Sequence, residues 1–213
     1  MSIKACIFDF DGTLVDTLPG IVRAWDLTFQ ALKIGRADPD KIKAAIGPAR
    51  EVYVKMVLGE HAETHGPSAL KLYKEFYKQV SPALTFMYDG ISDLLCELEM
   101  KEIALAIASN KPYFQITPLA EKFGIIPFFQ VILGPEKRWA GKPEPDMFLE
   151  CAKRFNLLPE EILVIGDSEL DLLAGQKAGM KRAAALWGYS SKEKLLPYEP
   201  DQWLAHPSAL TLS

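Results

Sequence analysis

Asp9 and Asp11 stand two residues apart where an apolar run ends, in the stretch Ile3-Lys4-Ala5-Cys6-Ile7-Phe8-Asp9-Phe10-Asp11-Gly12-Thr13. In an extended chain residues i and i+2 share a face. Both carboxylates are therefore expected side by side, with Phe10 turned the opposite way into a core. Like charges held that close raise each other's pKa unless a cation neutralises them. Asp167, in Gly166-Asp167-Ser168-Glu169-Leu170-Asp171, ends another apolar run and is a third candidate for the same place. Carboxylates converging in a partly desolvated cleft suit a hard divalent cation, and Mg²⁺ takes one or two carboxylates, water and substrate phosphate. Lys142, pinned between Gly141 and Pro143, adds positive charge, and Ser109-Asn110-Lys111 closes a further apolar run with hydroxyl and amide groups. These residue types outline a phosphate-handling site.

Such residues need a frame that brings them together. Four short apolar runs read as buried strands, Ala5–Phe8, Ile103–Ala108, Val131–Leu133 and Ile162–Ile165, and alanine-rich Arg182–Leu186 reads as a weaker fifth. Helical stripes lie between most of them: Ile91, Leu94, Leu95 and Leu98; Leu119, Ala120 and Phe123; Met147, Phe148, Cys151, Ala152 and Phe155. Buried strands alternating with helices imply an α/β fold, a Rossmann-like parallel sheet covered on both faces. In such sheets ligands bind beyond the carboxyl ends of the strands, which is where the polar residues fall.

A βαβ crossover needs about 30 residues, yet far more chain separates Asp11 from Ile103. That interval carries helical stripes instead: Ile21, Ala24, Trp25, Thr28, Phe29 and Leu32; then Val52, Val54, Met56 and Val57; then Leu70, Tyr73, Tyr77 and Val80, with Pro67 and Ser81-Pro82 punctuating the ends of the last. The expectation is an all-helical cap inserted at residues 18–81, with residues 1–17 and 82–213 forming the catalytic core. The aromatic residues of the insertion are expected to be its core.

Composition narrows the function classes. With 213 residues, 49% of them apolar and 24% charged, the chain can bury a real core. A net charge of −4 argues against a dedicated nucleic-acid binder. No stretch is long enough to span a bilayer and no signal peptide opens the chain, so a cytoplasmic protein without a membrane partner is expected. Cys6, Cys96 and Cys151 have no metal or redox spacing and are expected as buried small hydrophobes. His61 and His65 are four apart but lack a third ligand, and are expected in a solvated loop. P-loop, dinucleotide and nucleophile-elbow motifs are absent.

Taken together, Asp9-Phe10-Asp11-Gly12-Thr13-Leu14-Val15-Asp16, Ser109-Asn110, Lys142-Pro143 and Gly166-Asp167 with Asp171, in that order, resemble the haloacid dehalogenase-like hydrolase superfamily. The "SNK" and "GKPEPDMF" segments look most like its phosphoglycolate-phosphatase-type members. The resemblance implies a phosphatase acting on a small phosphorylated metabolite. Asp9 is then the nucleophile and Asp11 the proton carrier. Mg²⁺ is held by Asp9, the backbone carbonyl of Asp11 and Asp167. Gly12, Thr13, Ser109, Asn110 and Lys142 serve the phosphate. A phosphomutase on the same scaffold, or a non-catalytic binding module, are the alternatives. Asp171 reads either as a capping partner of Ser168 or as a support behind the metal, and Thr13 as a site hydroxyl or a turn cap. Asp16 is expected to cap the helix beginning near Pro19, and Lys111 to be a solvated surface lysine. Arg23 and Arg50 are the insertion's candidates for an anionic substrate tail.

Overall fold

The chain is described from a computed structural model covering residues 2–48, 50–135 and 139–212, without the side chains of Arg50 and Glu51. Its elements in order are β1 (Ala5–Phe8), β2 (Val15–Asp16), α1 (Leu18–Leu32), α2 (Pro39–Ala45), α3 (Arg50–Leu58), α4 (Ala62–Leu84), β3 (Phe86–Met87), α5 (Ile91–Met100), β4 (Ala104–Ala108), α6 (Tyr113–Lys122), β5 (Val131–Leu133), α7 (Asp146–Phe155), β6 (Ile162–Gly166), α8 (Glu169–Lys177), β7 (Lys181–Ala185), α9 (Lys192–Leu195) and β8 (Gln202–Leu204). The chain divides into two compact units, residues 1–16 with 87–213, and residues 17–86.

The first unit holds a six-stranded sheet in the order β5-β4-β1-β6-β7-β8, and every pairing in it is parallel. The α/β expectation is met. Period-two alternation along β1 shows how both faces are covered. Cys6 and Phe8 join a core with Leu105, Ile107, Leu163 and Ile165, under α5 and α6. Ala5 and Ile7 join the opposite core with Ala106, Ala108, Ile162 and Val164, under α7. An apolar run with no polar alternation is the signature of a strand buried on both sides. Phe10 is fully buried in the first of these cores, as its spacing required.

β1 lies between β4 and β6, so the chain reverses its direction of travel across the sheet there. That is the point at which a crevice opens at the carboxyl ends of parallel strands. Two details depart from expectation. The alanine-rich strand spans Lys181–Ala185, and an edge strand, β8, follows it. A Gln-Trp-Leu triplet has too few residues to carry a period.

The second unit is helical. Ile21, Ala24, Trp25 and Phe29 of α1 pack with Val54, Val57, Tyr73 and Tyr77. The Trp25 and Tyr73 rings stack at 4.6 Å, and Tyr73 stacks on Tyr77 at 5.6 Å. Aromatic residues thus form this unit's core. Val52 and Met56 are exposed, contrary to the expected stripe on α3. α4 runs from Ala62 to Leu84, straight through Pro67 and Pro82, which were expected to bound it. The buried face carrying Ala69, Tyr73, Tyr77 and Ser81 outweighs two missing N–H groups. His61 and His65 belong to this helical stretch rather than to a loop, with ring centroids 6.2 Å apart.

Cys6 and Cys151 are buried, and burial pushes each thiol up to about 12. Cys96 is exposed, correcting the expectation for that residue. No helix among the described residues is long and apolar enough to cross a membrane.

Candidate active site

The carboxyl ends of four neighbouring strands supply the site. β1 delivers Asp9 and Asp11, β4 delivers Ser109, Asn110 and Lys111, β6 delivers Asp167, and β7 leads into Trp187, Gly188 and Tyr189. The backbone N–H of Asp9 donates to Ile165 O at 2.9 Å, so the β1–β6 ladder fixes the residue itself.

Lys142 is the hub. Its Nζ lies 2.7 Å from Asp9 Oδ1 and 2.6 Å from Asp171 Oδ1, and it donates to Ala108 O at 3.1 Å. Burial alone would lower the lysine's pKa, but Asp171 and Asp9 outweigh it and hold the group above its ordinary value. Its backbone is gripped by Asn110. The side-chain amide donates to Lys142 O at 2.9 Å and accepts from Lys142 N at 2.7 Å. The Asn110 side chain thus fixes the Lys142 loop.

Asp167 is enclosed. Its Oδ1 accepts from Thr13 Oγ1 at 3.2 Å and its Oδ2 from the Tyr189 N–H at 2.7 Å. Burial, then Asp171 and Asp9, push its carboxyl well above the usual range. Thr13 is therefore a partner of this carboxylate, and its own carbonyl accepts from Trp187 Nε1 at 3.0 Å. Gly12, at φ +82°, lies against Asp167, and a Cβ there would strike the carboxylate. At Gly188 a Cβ would strike both Asp167 and the Gly12 carbonyl.

Asp171 is the capping partner of Ser168 and also pairs with Lys142. Its Oδ2 accepts from Ser168 N at 3.1 Å and Ser168 Oγ at 2.6 Å, while Oδ1 faces Lys142. Burial raises its pKa, Lys142 opposing and Asp9 adding to the rise.

Lys111 corrects the expectation of a solvated lysine. Its side chain is 5% exposed and its Nζ lies 3.0 Å from both Asp11 Oδ1 and Oδ2. Its N–H donates to Ser109 Oγ at 3.3 Å. Asp16 is not the cap of α1; Thr17 occupies that position, and Asp16 Oδ1 accepts from Tyr189 Oη at 3.1 Å. Lys111, Trp187 and Tyr189 were missed as site residues. Each follows the carboxyl end of a parallel strand, and that rule could have found them. Arg23 lies in the helical unit, paired with Asp26 at 3.1 Å, and the Arg50 side chain lies outside the described residues.

Asp9, Asp167 and Asp171 each offer an oxygen within 4.8 Å of the others. Asp171 was not in the expected ligand set; its Oδ1 pairs with the Lys142 ammonium and its Oδ2 with the Ser168 hydroxyl. Asp9 Oδ1 is buried and, beyond the Lys142 ion pair, accepts no well-formed hydrogen bond. Of the described groups here, Asp9, Asp11, Asp167 and Asp171 face the ammoniums of Lys111 and Lys142, a formal excess of two negative charges. A hard, oxygen-seeking divalent cation fits that donor set and cancels that charge.

Residues 6–185 match the family described as haloacid dehalogenase-like hydrolase. The chain is 30% identical over 220 residues to a phosphoglycolate phosphatase of Shigella boydii, covering 93% of this chain and 87% of that one. It is 29% identical over 220 residues to the phosphoglycolate phosphatase of Escherichia coli K12, with the same coverage. A haloacid dehalogenase-like family hydrolase from Streptococcus pneumoniae superposes with a TM-score of 0.88 at 29% identity, over 97% of this chain and 96% of that one. The chain belongs to the haloacid dehalogenase-like hydrolase family, and it is a phosphatase within it.

Proposed function

We propose that the chain is a Mg²⁺-dependent phosphatase that hydrolyses a small phosphate monoester, phosphoglycolate or another phosphorylated metabolite, through an aspartyl phosphate on Asp9. The observation that carries this reading is the buried Asp9 Oδ1, which accepts no well-formed hydrogen bond and stands 2.7 Å from the Lys142 ammonium. A carboxylate so held keeps its aim, as a nucleophile must. In this reading the sheet-bearing unit is catalytic and the helical unit is the cap.

A carboxylate oxygen of Asp9 attacks phosphorus in line, and the bond from phosphorus to the ester oxygen breaks. Asp11 gives its proton to the departing alkoxide. Asp11 then takes a proton from water, whose oxygen attacks the acyl phosphate. Phosphate leaves and Asp9 is regenerated. Lys142 balances the charge of Asp9 and of the transferring group, and Ser109 with backbone N–H groups near Gly12 and Asn110 would hold non-bridging oxygens, the Gly12 N–H itself being given to Val15 O at 2.9 Å. Asp9, the Asp11 carbonyl and Asp167 would hold Mg²⁺, which supplies charge neutralisation and orientation of the displacement when bound. Thr13 and Tyr189 fix the Asp167 carboxylate.

A phosphate-release screen over small phosphorylated acids, sugars and nucleotides, with Mg²⁺ and with Asp9→Asn as control, tests the reading. Release from at least one ester by wild type and none by Asp9→Asn is expected. Equal release by both proteins contradicts the role of Asp9, and isomerised sugar phosphate in place of free phosphate makes the chain a mutase.

A further inference from the structure

The cation proposed above draws on two strand ends, Asp9 and the Asp11 carbonyl after β1 and Asp167 after β6. Resting on that reading, we infer that Trp187 and Tyr189 are positioning residues for the cation: their side chains pin the turn between them onto the loop after β1, and so hold Asp167 at the spacing from that loop which the ion requires. They act through Asp167.

Three observations lead there. First, the hydrogen bonds close a circuit. Thr13 Oγ1 donates to Asp167 Oδ1 at 3.2 Å, Trp187 Nε1 donates to Thr13 O at 3.0 Å, and the Tyr189 N–H donates to Asp167 Oδ2 at 2.7 Å. Gly188 joins Trp187 to Tyr189, so the ring runs through both oxygens of Asp167 and fixes the plane of its carboxylate. A Cβ at Gly188 would strike Asp167 and the Gly12 carbonyl, so the turn lies on that carboxylate with no slack.

Second, the two side chains land on one body. Trp187 takes Thr13 O, and Tyr189 Oη donates to Asp16 Oδ1 at 3.1 Å. The chain between those acceptors is folded on itself, with the Gly12 N–H donating to Val15 O at 2.9 Å and the Val15 N–H to Phe10 O at 3.1 Å. That closed turn also carries Asp11. The two aromatic side chains thus tie the β6 carboxylate to the β1 loop from which the other oxygens come.

Third, Asp167 needs holding. Asp9, Asp167 and Asp171 offer oxygens within 4.8 Å of one another, and like charges that close repel before an ion arrives. Ligands fixed beforehand bind more tightly than ligands the ion must itself order. The outer partners of a metal site therefore set its affinity although they never touch the metal.

The test is calorimetric titration with Mg²⁺, without substrate, of wild type, Trp187→Phe, Tyr189→Phe and the double variant. Each replacement keeps an aromatic ring and every formal charge and removes one donor. The stoichiometry reads the fraction of protein correctly folded, and Kd reads the site within that fraction. Each single variant is expected to weaken Mg²⁺ binding by ~10-fold, and the double variant by more. An unaltered Kd in either single variant, with only the stoichiometry or Tm lowered, overturns the assignment for that residue and makes it a support of the fold. Should Trp187→Phe not fold, Tyr189→Phe, which loses a single hydroxyl, decides the inference by the same two outcomes. Absence of Mg²⁺ binding by wild type overturns the underlying cation reading instead, and the inference with it.

Discussion

Lys142 Nζ lies 2.6 Å from Asp171 Oδ1, with the two side chains 3% and 0% exposed. Both groups left water to meet, so removing either strands a buried charge. Asp171→Asn and Lys142→Met are each expected to cost about 3 kcal/mol of folding stability, and the double variant less than their sum by about 1 kcal/mol or more. Urea denaturation of the four proteins measures the cycle. Strict additivity would show that the pair is not coupled.

Gly188 lies where a methyl group would strike Asp167 and the Gly12 carbonyl. Gly188→Ala is therefore expected to displace Asp167, lowering stability by roughly 1–3 kcal/mol and phosphatase activity by ~100-fold or more. Gly66, in α4, has open space where its Cβ would go. Gly66→Ala is expected to leave activity unchanged and to add up to ~1 kcal/mol. Thermal melts and initial rates separate the two. Similar behaviour of both variants would contradict the close packing of the 187–189 turn on Asp167.

Burial, then Asp171 and Asp9, raise the Asp167 carboxyl well above its usual pKa. A group whose pKa is higher folded than unfolded favours folding most when protonated. Its contribution is whole below the unfolded value of about 4 and is lost as pH rises through the folded value. Cation binding needs the ionised form, so Mg²⁺ opposes that loss. The Mg²⁺-induced rise in Tm is expected to be larger near neutral pH than near pH ~5. Calorimetry with and without Mg²⁺ reads it directly, and a larger shift at the acidic pH would contradict it.

How much of this was legible in the sequence follows from where each signal resides. β1, β5 and β6 are apolar without interruption, and strands with two buried faces announce themselves that way. Asp9, Asp11, Ser109 and Asp167 follow such runs, so the sheet's carboxyl edge could be read before any contact was known. Lys111 could not. Its partner, Asp11, is 100 residues away, and a lysine buried against a carboxylate is spelled like a solvated one. Tyr189 binds Asp167 through its backbone N–H, which no residue type reports. Pro67 and Pro82 read as helix ends because local propensity says so, yet the stacked Trp25, Tyr73 and Tyr77 hold α4 continuous. Asp16 looked like a cap because a proline follows near the start of α1, while its carboxylate is taken by Tyr189 from a distant loop. Periodicity and strand ends are local, and these exceptions are all set by tertiary partners.

The central claim is that Asp9 becomes phosphorylated during turnover. Acid-quenching the protein within the first turnovers of a substrate found in the phosphate-release screen, followed by peptide mapping by mass spectrometry, tests it most directly. The account predicts a transient phosphoryl group on the peptide containing Asp9, absent from Asp9→Asn, which also releases no phosphate. Full-rate phosphate release by Asp9→Asn, or a phosphoryl group mapped to any other residue, would contradict it.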